Sequence, residues 1–367
     1  MAPDDFAAWL RLLETPGLGR DGVRRVLAAF GTPDAVLSAS PAHWRERLGA
    51  AASRALATEA PDFAPRLAAA QAWLAGAQDR HVFTLGDTAY PPLLLHTADP
   101  PLLLYAQGRL DLLQATSVAV VGSRHPSAQG ADNARGFARQ LGGAGIVVVS
   151  GLALGIDGAA HEGALQAVAG TIAVVGTGLD RVYPSRHRAL AHRIVEQGVV
   201  LSEFAPGTPA LPAHFPLRNR IIAGLSRGTL VVEAALRSGS LITARLAAEA
   251  GREVFAVPGS IHAPQSRGCH ELIRQGAMLV ESADEIIETL RGPLPPSQRP
   301  DTLSAAAPAA PADALLDALG HDPMTIDALQ ARTGWSTAEL SGRLLELELD
   351  GLVARLAGGL YQRRHTG

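Results

Sequence analysis

The sequence predicts an α/β fold: a doubly wound, mostly parallel sheet, flanked by an amino-terminal helical domain and a carboxyl-terminal winged helix. Three observations predict it. Six short apolar runs (VAVVG, IVVVSG, TIAVVG, VVLSE, TLVVEA and EVFAVPG) follow one another from Ser117. Such unbroken runs suit strands covered on both faces. Stretches of helical spacing separate them, and a βαβα order brings successive strands into one parallel sheet. Outside this region both ends of the chain read differently.

Residues 1–60 read as a small helical domain of the helix-hairpin-helix or SAM-like kind. Thr15-Pro16-Gly17-Leu18-Gly19-Arg20 precedes an amphipathic run from Val23 to Gly31. A Gly-x-Gly turn at a helix start can hold one phosphate on its amides, or can turn the chain and serve protein contacts. Residues 61–291 comprise a connector, rich in alanine and then proline, and the sheet domain. Residues 292–312 are dominated by Pro, Ala and Ser and read as a linker.

Residues 313–367 carry apolar residues at helical spacing. Thr325 can cap one helix, and Ser336 with Glu339 makes a capping box for the next. Leu352–Leu356 and Leu360–Gln362, joined through Gly358-Gly359, suggest a two-stranded wing. The candidate recognition helix, 336–349, holds several glutamates and a single arginine, Arg343. That is poor for docking in a major groove, so protein contact and duplex-DNA contact both stay open for this domain.

Composition narrows the function. The chain has 367 residues, a formal charge of −3 and 47% apolar residues, enough for a sizeable core but no broadly basic surface. Any nucleic-acid site must be a local patch. All 32 positive residues are arginine, so a Walker A lysine, a Schiff-base lysine and a lysine general base are impossible. Arginine keeps its charge and binds phosphate as a bidentate fork. No run of about 18 apolar residues suggests a membrane span, and the acidic start lacks the marks of a secretory signal. Cys269 is the sole cysteine, which suits a reducing cytoplasm.

The turns after the strands carry the chemistry. Gly122-Ser123-Arg124 follows the first run and precedes a helix; it offers a close backbone approach, a hydroxyl and a guanidinium fork. Gly151 and Gly155 shape the turn after the second run, with Asp157 as its expected cap. Gly176-Thr177-Gly178 ends the third. Arg237-Ser238-Gly239-Ser240 follows the fifth and opens another helix, where simple capping is the competing reading. Phe215-Pro216-Leu217-Arg218-Asn219-Arg220 puts an aromatic ring and two arginines at the mouth of a helical run.

Other motifs fail. Neither Gly122 nor Gly176 begins a G-x-G-x-x-G fingerprint: the turn Gly122-Ser123-Arg124 does not have it, and after Gly176 Arg181 stands where a glycine is needed. Asp157 and His161 lie four apart and could share a face, but no third metal ligand is apparent, and the pair reads as structural. No metal, cofactor or catalytic residue is expected. Gly224-Leu225-Ser226-Arg227-Gly228 fits G-x-S-x-G, yet the required strand-then-helix order is reversed.

Together VAVVGSRHPS, VVVSGLALGIDGAAHEGAL, TIAVVGTGLDRVYPSRHRAL, LSEFAPG, HFPLRNRIIAGLS, EAALRSGSLITA, AVPGS and RGCHELIRQGA resemble, in order, the DNA-processing protein A family, also called DprA or Smf. The resemblance covers roughly 117–280. It implies a Rossmann-like domain and a non-enzymatic role: binding and protecting single-stranded DNA during natural transformation, loading the RecA recombinase onto it, and acting as a cytoplasmic homodimer. It carries DNA contacts onto Gly122, Ser123 and Arg124, and onto Phe215 as a stacking ring, with Arg218 and Asn219 as extensions. Pro212 departs from the family, which often has lysine there. That loss weakens the inferred pocket unless Arg218, Arg220 or His214 substitutes.

The expected DNA-binding set is therefore Gly122, Ser123, Arg124, Gly155, Gly176, Gly178, Phe215, Arg218, Asn219, Arg220 and Ser240. Two rival functions remain at this level. One is a nucleoside-monophosphate phosphoribohydrolase on a related scaffold, although RSGSLITA lacks the Pro-Gly-Gly-x-Gly-Thr loop of such enzymes. The other is a scaffold recruiting partners or duplex DNA through its winged helix.

Overall fold

The computed structural model describes residues 3–291, 313–320, 323–356 and 358–364. The expected linker at 292–312 lies outside the described residues. The central sheet has nine strands: β1 (Arg80–Thr84), β2 (Leu103–Gly108), β3 (Ser117–Val121), β4 (Val147–Ser150), β5 (Thr171–Val174), β6 (Val199–Ser202), β7 (Gly228–Val231), β8 (Glu253–Ala256) and β9 (Met278–Leu279). Their spatial order is β1-β2-β6-β5-β4-β3-β7-β8-β9. The pairs from β6 to β9 are parallel. β1 and β2 add an antiparallel edge.

The six apolar runs become β3 to β8. They are covered on both faces, which explains their lack of alternation: β3, β4, β5 and β6 are buried at every position. One face holds Val121, Val149, Val174, Leu201 and Ile222. The other packs Val118, Val148 and Leu230 against Phe137, Ala138, Leu141 and Ile156. β1 and β2 were not expected; they arise from the stretch read only as a connector.

The chain moves outward from β3 through β4 and β5 to β6, then returns to place β7 on the other side of β3. The reversal leaves a crevice beyond the carboxyl ends of β3 and β7, the place where open α/β sheets bind ligands.

Helices Pro3–Leu13 through Phe63–Ala75 form the amino-terminal helical region. It is fastened to the sheet domain by an ion cluster. Arg20 and Arg24 reach Asp99, Arg220 also pairs with Asp99 (3.0 Å), and Arg220 binds Glu203 through two oxygens at 2.5 and 2.6 Å. The arginines beside the Gly17-Leu18-Gly19 turn thus face a carboxylate of their own chain.

At the other end, helices Ala314–Leu319, Ile326–Thr333 and Thr337–Leu349 pack with strands β10 (Met324–Thr325), β11 (Val353–Leu356) and β12 (Leu360–Arg363). Thr325 and Ser336 are the helix caps, and the Ser336–Glu339 capping box is complete. Arg364 joins this domain to the sheet domain, pairing with Asp132 at 2.7 and 2.9 Å.

Candidate nucleic-acid interface

The crevice between β3 and β7 is a cavity of about 690 Å³. Gly122, Ser123 and Arg124 form one wall. Arg237, Ser238, Gly239 and Ser240 form the facing wall, and Phe215 and Asn219 border it from helix His214–Leu225. Segments more than a hundred residues apart in sequence meet here because the sheet reverses at this point.

The first wall is shaped by close approach. A Cβ on Gly122 would lie 2.7 Å from Ile156 Cγ1 and 2.8 Å from the Glu233 carbonyl. Gly155 supports the wall from behind: its φ is +82°, a Cβ there would sit 2.3 Å from the Ser123 carbonyl, and Ile156 N donates to that carbonyl at 3.1 Å. Any larger residue at 155 would push Ser123 and Arg124 out of place. Ser127 caps helix Ala128–Gly143 and, with its own amide, donates to Glu233 at 2.5 and 2.9 Å. Burial raises the Glu233 carboxyl above the usual range, partly offset by those bonds.

Arg124 is exposed, and no ion pair ties it down among the described residues. Its guanidinium carbon lies 5.6 Å from the Phe215 ring centroid. Phe215 is half-buried and also meets Tyr183, with centroids 5.6 Å apart and planes inclined by 39°. Gly176 lies beneath that ring; a Cβ there would touch Phe215 Cδ1 at 3.4 Å. On the facing wall Ser238 caps helix Gly239–Glu249, and its hydroxyl contacts Ser240 Oγ at 2.7 Å. Asn219 donates to the Gly239 carbonyl at 3.3 Å and braces that wall. Arg237 is exposed, with no ion pair among the described residues.

Three expected residues behave differently. Arg218, expected as a phosphate fork, is 5% exposed and donates to the carbonyls of Gly151 and Val174, the latter at 2.8 Å. It forms the floor of the cavity rather than a rim cation. The reason is helical phase: Ile221 and Ile222, three and four residues on, are core residues of the same face. Arg220 points away into the Asp99–Glu203 cluster, so neither arginine compensates at the surface for Pro212. Gly178 packs against the loop at Ala205, where a Cβ would lie 2.6 Å from that carbonyl, and does not line the cavity.

Asp157 is not a helix cap. Gly155 holds that position, and the buried Asp157 carboxylate accepts from the amides of Gly151 (3.1 Å) and Ala153 (3.3 Å). These bonds hold Leu152 at φ +58°. Burial raises the Asp157 carboxyl, while the Arg218 guanidinium and the two amides oppose the rise. His161 is sealed, with Nδ1 2.8 Å from Thr171 Oγ1, and burial lowers its pKa to about 3. Among the described residues no group of three His, Cys, Asp or Glu could hold a metal. Ser226, the false nucleophile, is fully buried and donates to Ile222 O at 3.0 Å. Sequence reasoning passed over Tyr183, an exposed ring whose signal was only its place beside a proline in a turn after a strand.

The cavity thus presents two amide-and-hydroxyl turns, two unpaired guanidinium groups and two rings, an arrangement suited to phosphates flanked by planar bases. Comparison with known proteins points the same way. Residues 81–291 match the family model described as DNA recombination-mediator protein A, and 299–359 match the DprA winged helix domain. The chain is 44% identical over 297 residues to Protein Smf of Escherichia coli, covering 78% of this chain and 79% of that protein. It is similar to the crystal structure of DNA processing protein A from Streptococcus pneumoniae: TM-score 0.67, 40% identity, 77% of this chain and 96% of that one. The DNA processing protein A of Helicobacter pylori, whose structure was described for its single-stranded DNA binding mode, matches with a TM-score of 0.53 at 32% identity. That match covers 57% of this chain and 96% of that one. With this topology, these motifs and these relatives, the chain belongs to the DNA recombination-mediator protein A family, DprA/Smf.

Proposed function

We propose that this protein binds single-stranded DNA in the β3–β7 crevice, protects it, and loads RecA recombinase onto it during transformation or recombination. The observation that carries the reading is the Arg124–Phe215 pair, a free guanidinium beside a half-exposed ring at the mouth of a glycine-walled cavity. Unpaired strands are gripped by cationic grooves with aromatic platforms, and such stacking tolerates any sequence. The H. pylori relative, described by its binding of single-stranded DNA, supports the same ligand here.

The role is one of binding without turnover, carried out in the cytoplasm by a homodimer, with the amino-terminal and winged-helix domains free for further protein or duplex-DNA contacts. Gly122, Ser123, Arg124, Phe215, Asn219 and Ser240 are the proposed contacts. Gly155 and Gly176 shape the walls, and Arg218 holds the floor.

The test is titration of labelled single-stranded and duplex oligonucleotides across a salt series, followed by RecA filament formation with and without the protein. Preference for the single strand with a marked salt dependence, and faster filament formation, are expected. Equal binding of duplex, or release of free base from nucleoside monophosphates, would favour one of the rival functions.

A further inference from the structure

The crevice does not end at Phe215. Tyr183 lines the cavity described above and also a second groove of about 540 Å³, bordered by Thr177, Asp180, Arg181, Arg188, His192 and Pro209. Tyr183 is 52% exposed although it packs beside another aromatic. Its contact with Phe215 makes a short run of two rings leading from one groove into the other.

The second groove is polar and carries free positive charge. Arg188, exposed at the start of helix Arg188–Gln197, makes no ion pair or side-chain hydrogen bond among the described residues. Arg181 is only partly neutralised, by Asp180 at 3.5 Å with both side chains open to solvent. The first cavity has Arg124, one of its two free cations, over the Phe215 ring, and the second groove has Arg188 in the lining that it shares with Tyr183. Rings set between cations match a backbone whose phosphates alternate with bases.

Resting on the single-strand reading above, we propose that the bound strand continues past Tyr183 into this groove. Tyr183 is a second stacking platform and Arg188 a second phosphate contact. The two rings then carry consecutive bases, and the site is longer than the β3–β7 crevice alone.

The experiment is a length series on the full chain: labelled oligothymidylates of about 4 and about 12 nucleotides, within the span of known single-strand sites, bound to the wild type, Tyr183→Ala and Arg188→Ala. The wild type should bind the longer oligomer more tightly by more than statistics allow. Tyr183→Ala should weaken the longer one by about 5- to 150-fold, the loss expected for one stacked base, and weaken the shorter one as well, because Tyr183 also lines the first cavity. Arg188→Ala should lower the salt slope by about 0.7, on the longer oligomer alone.

Should Tyr183→Ala lose its thermal transition, Arg188→Ala decides the matter, because that side chain is exposed and unpaired. Variants that match the wild type at both lengths would overturn the proposal. So would an Arg188→Ala variant that weakens both lengths alike, since Arg188 lines the second groove and not the first. A wild type that binds neither oligomer would instead sink the single-strand reading itself.

Discussion

The Arg124 guanidinium sits 5.6 Å from the centre of the Phe215 ring, although the two residues lie some ninety positions apart in the sequence. Strand β3 delivers one and helix His214–Leu225 the other, and they meet because the chain reverses direction between β6 and β7. The pair marks the mouth of the cavity and separates its two kinds of affinity, charge and stacking.

Arg124→Ala should weaken binding of a single strand and lower the slope of log affinity against log salt by about 0.7, the contribution of one phosphate contact on a single strand. The side chain is exposed and unpaired, so the unfolding transition should not move. Anisotropy titrations at several salt concentrations, with a thermal melt alongside, check both statements.

Phe215→Ala should cost about 1–3 kcal/mol of binding free energy, the usual range for a stacked base, and leave the salt slope unchanged. Stability should fall only slightly, because the ring is half-exposed. A large drop in the unfolding midpoint would show instead that Phe215 belongs to the core.

Arg218→Ala should behave in the opposite way. The guanidinium holds the Gly151 and Val174 carbonyls and faces the buried Asp157 carboxylate. Its loss strands those groups, a change worth about 3–5 kcal/mol when a buried charge loses its partner. Chemical denaturation should register that loss, whereas Arg124→Ala should show none.

Acid should destabilise the protein through His161. Its folded pKa, about 3, lies below the ordinary value of 6.5 because burial, then His187 and Arg218, disfavour the charged ring. The unfolded chain therefore binds the extra proton in this window, so the contribution is fully present above pH 6.5 and is lost as pH falls toward 3. The slope approaches about 1.4 kcal/mol per pH unit for one proton. His161→Gln should flatten that part of the stability profile, measured by urea unfolding between pH 7 and pH 4.

How legible this was in the sequence follows from what each residue depends on. Strands β3 to β8 were readable because burial on both faces leaves unbroken apolar runs. β1 and β2 were not: they pair antiparallel at the sheet edge, and their sequences RHVFT and LLYAQG sit in a stretch whose alanines and prolines suggest a connector. Gly122-Ser123-Arg124 and Phe215 were visible as local chemistry. The roles of Arg218 and Arg220 were not, because arginines two apart on one helix point in different directions. Arg218 shares its face with Ile221 and Ile222, a signal the sequence did contain. The partners of Arg220, Asp99 and Glu203, come from other loops and could not be read from spacing.

The most direct test is a single-strand titration of the wild type and of Arg124→Ala/Phe215→Ala at near-physiological salt, each with a duplex control. The account predicts that the wild type prefers the unpaired strand. It predicts that the double variant keeps its unfolding midpoint but loses at least the sum of one phosphate contact and one stacked base. Undiminished binding by a folded double variant would contradict it.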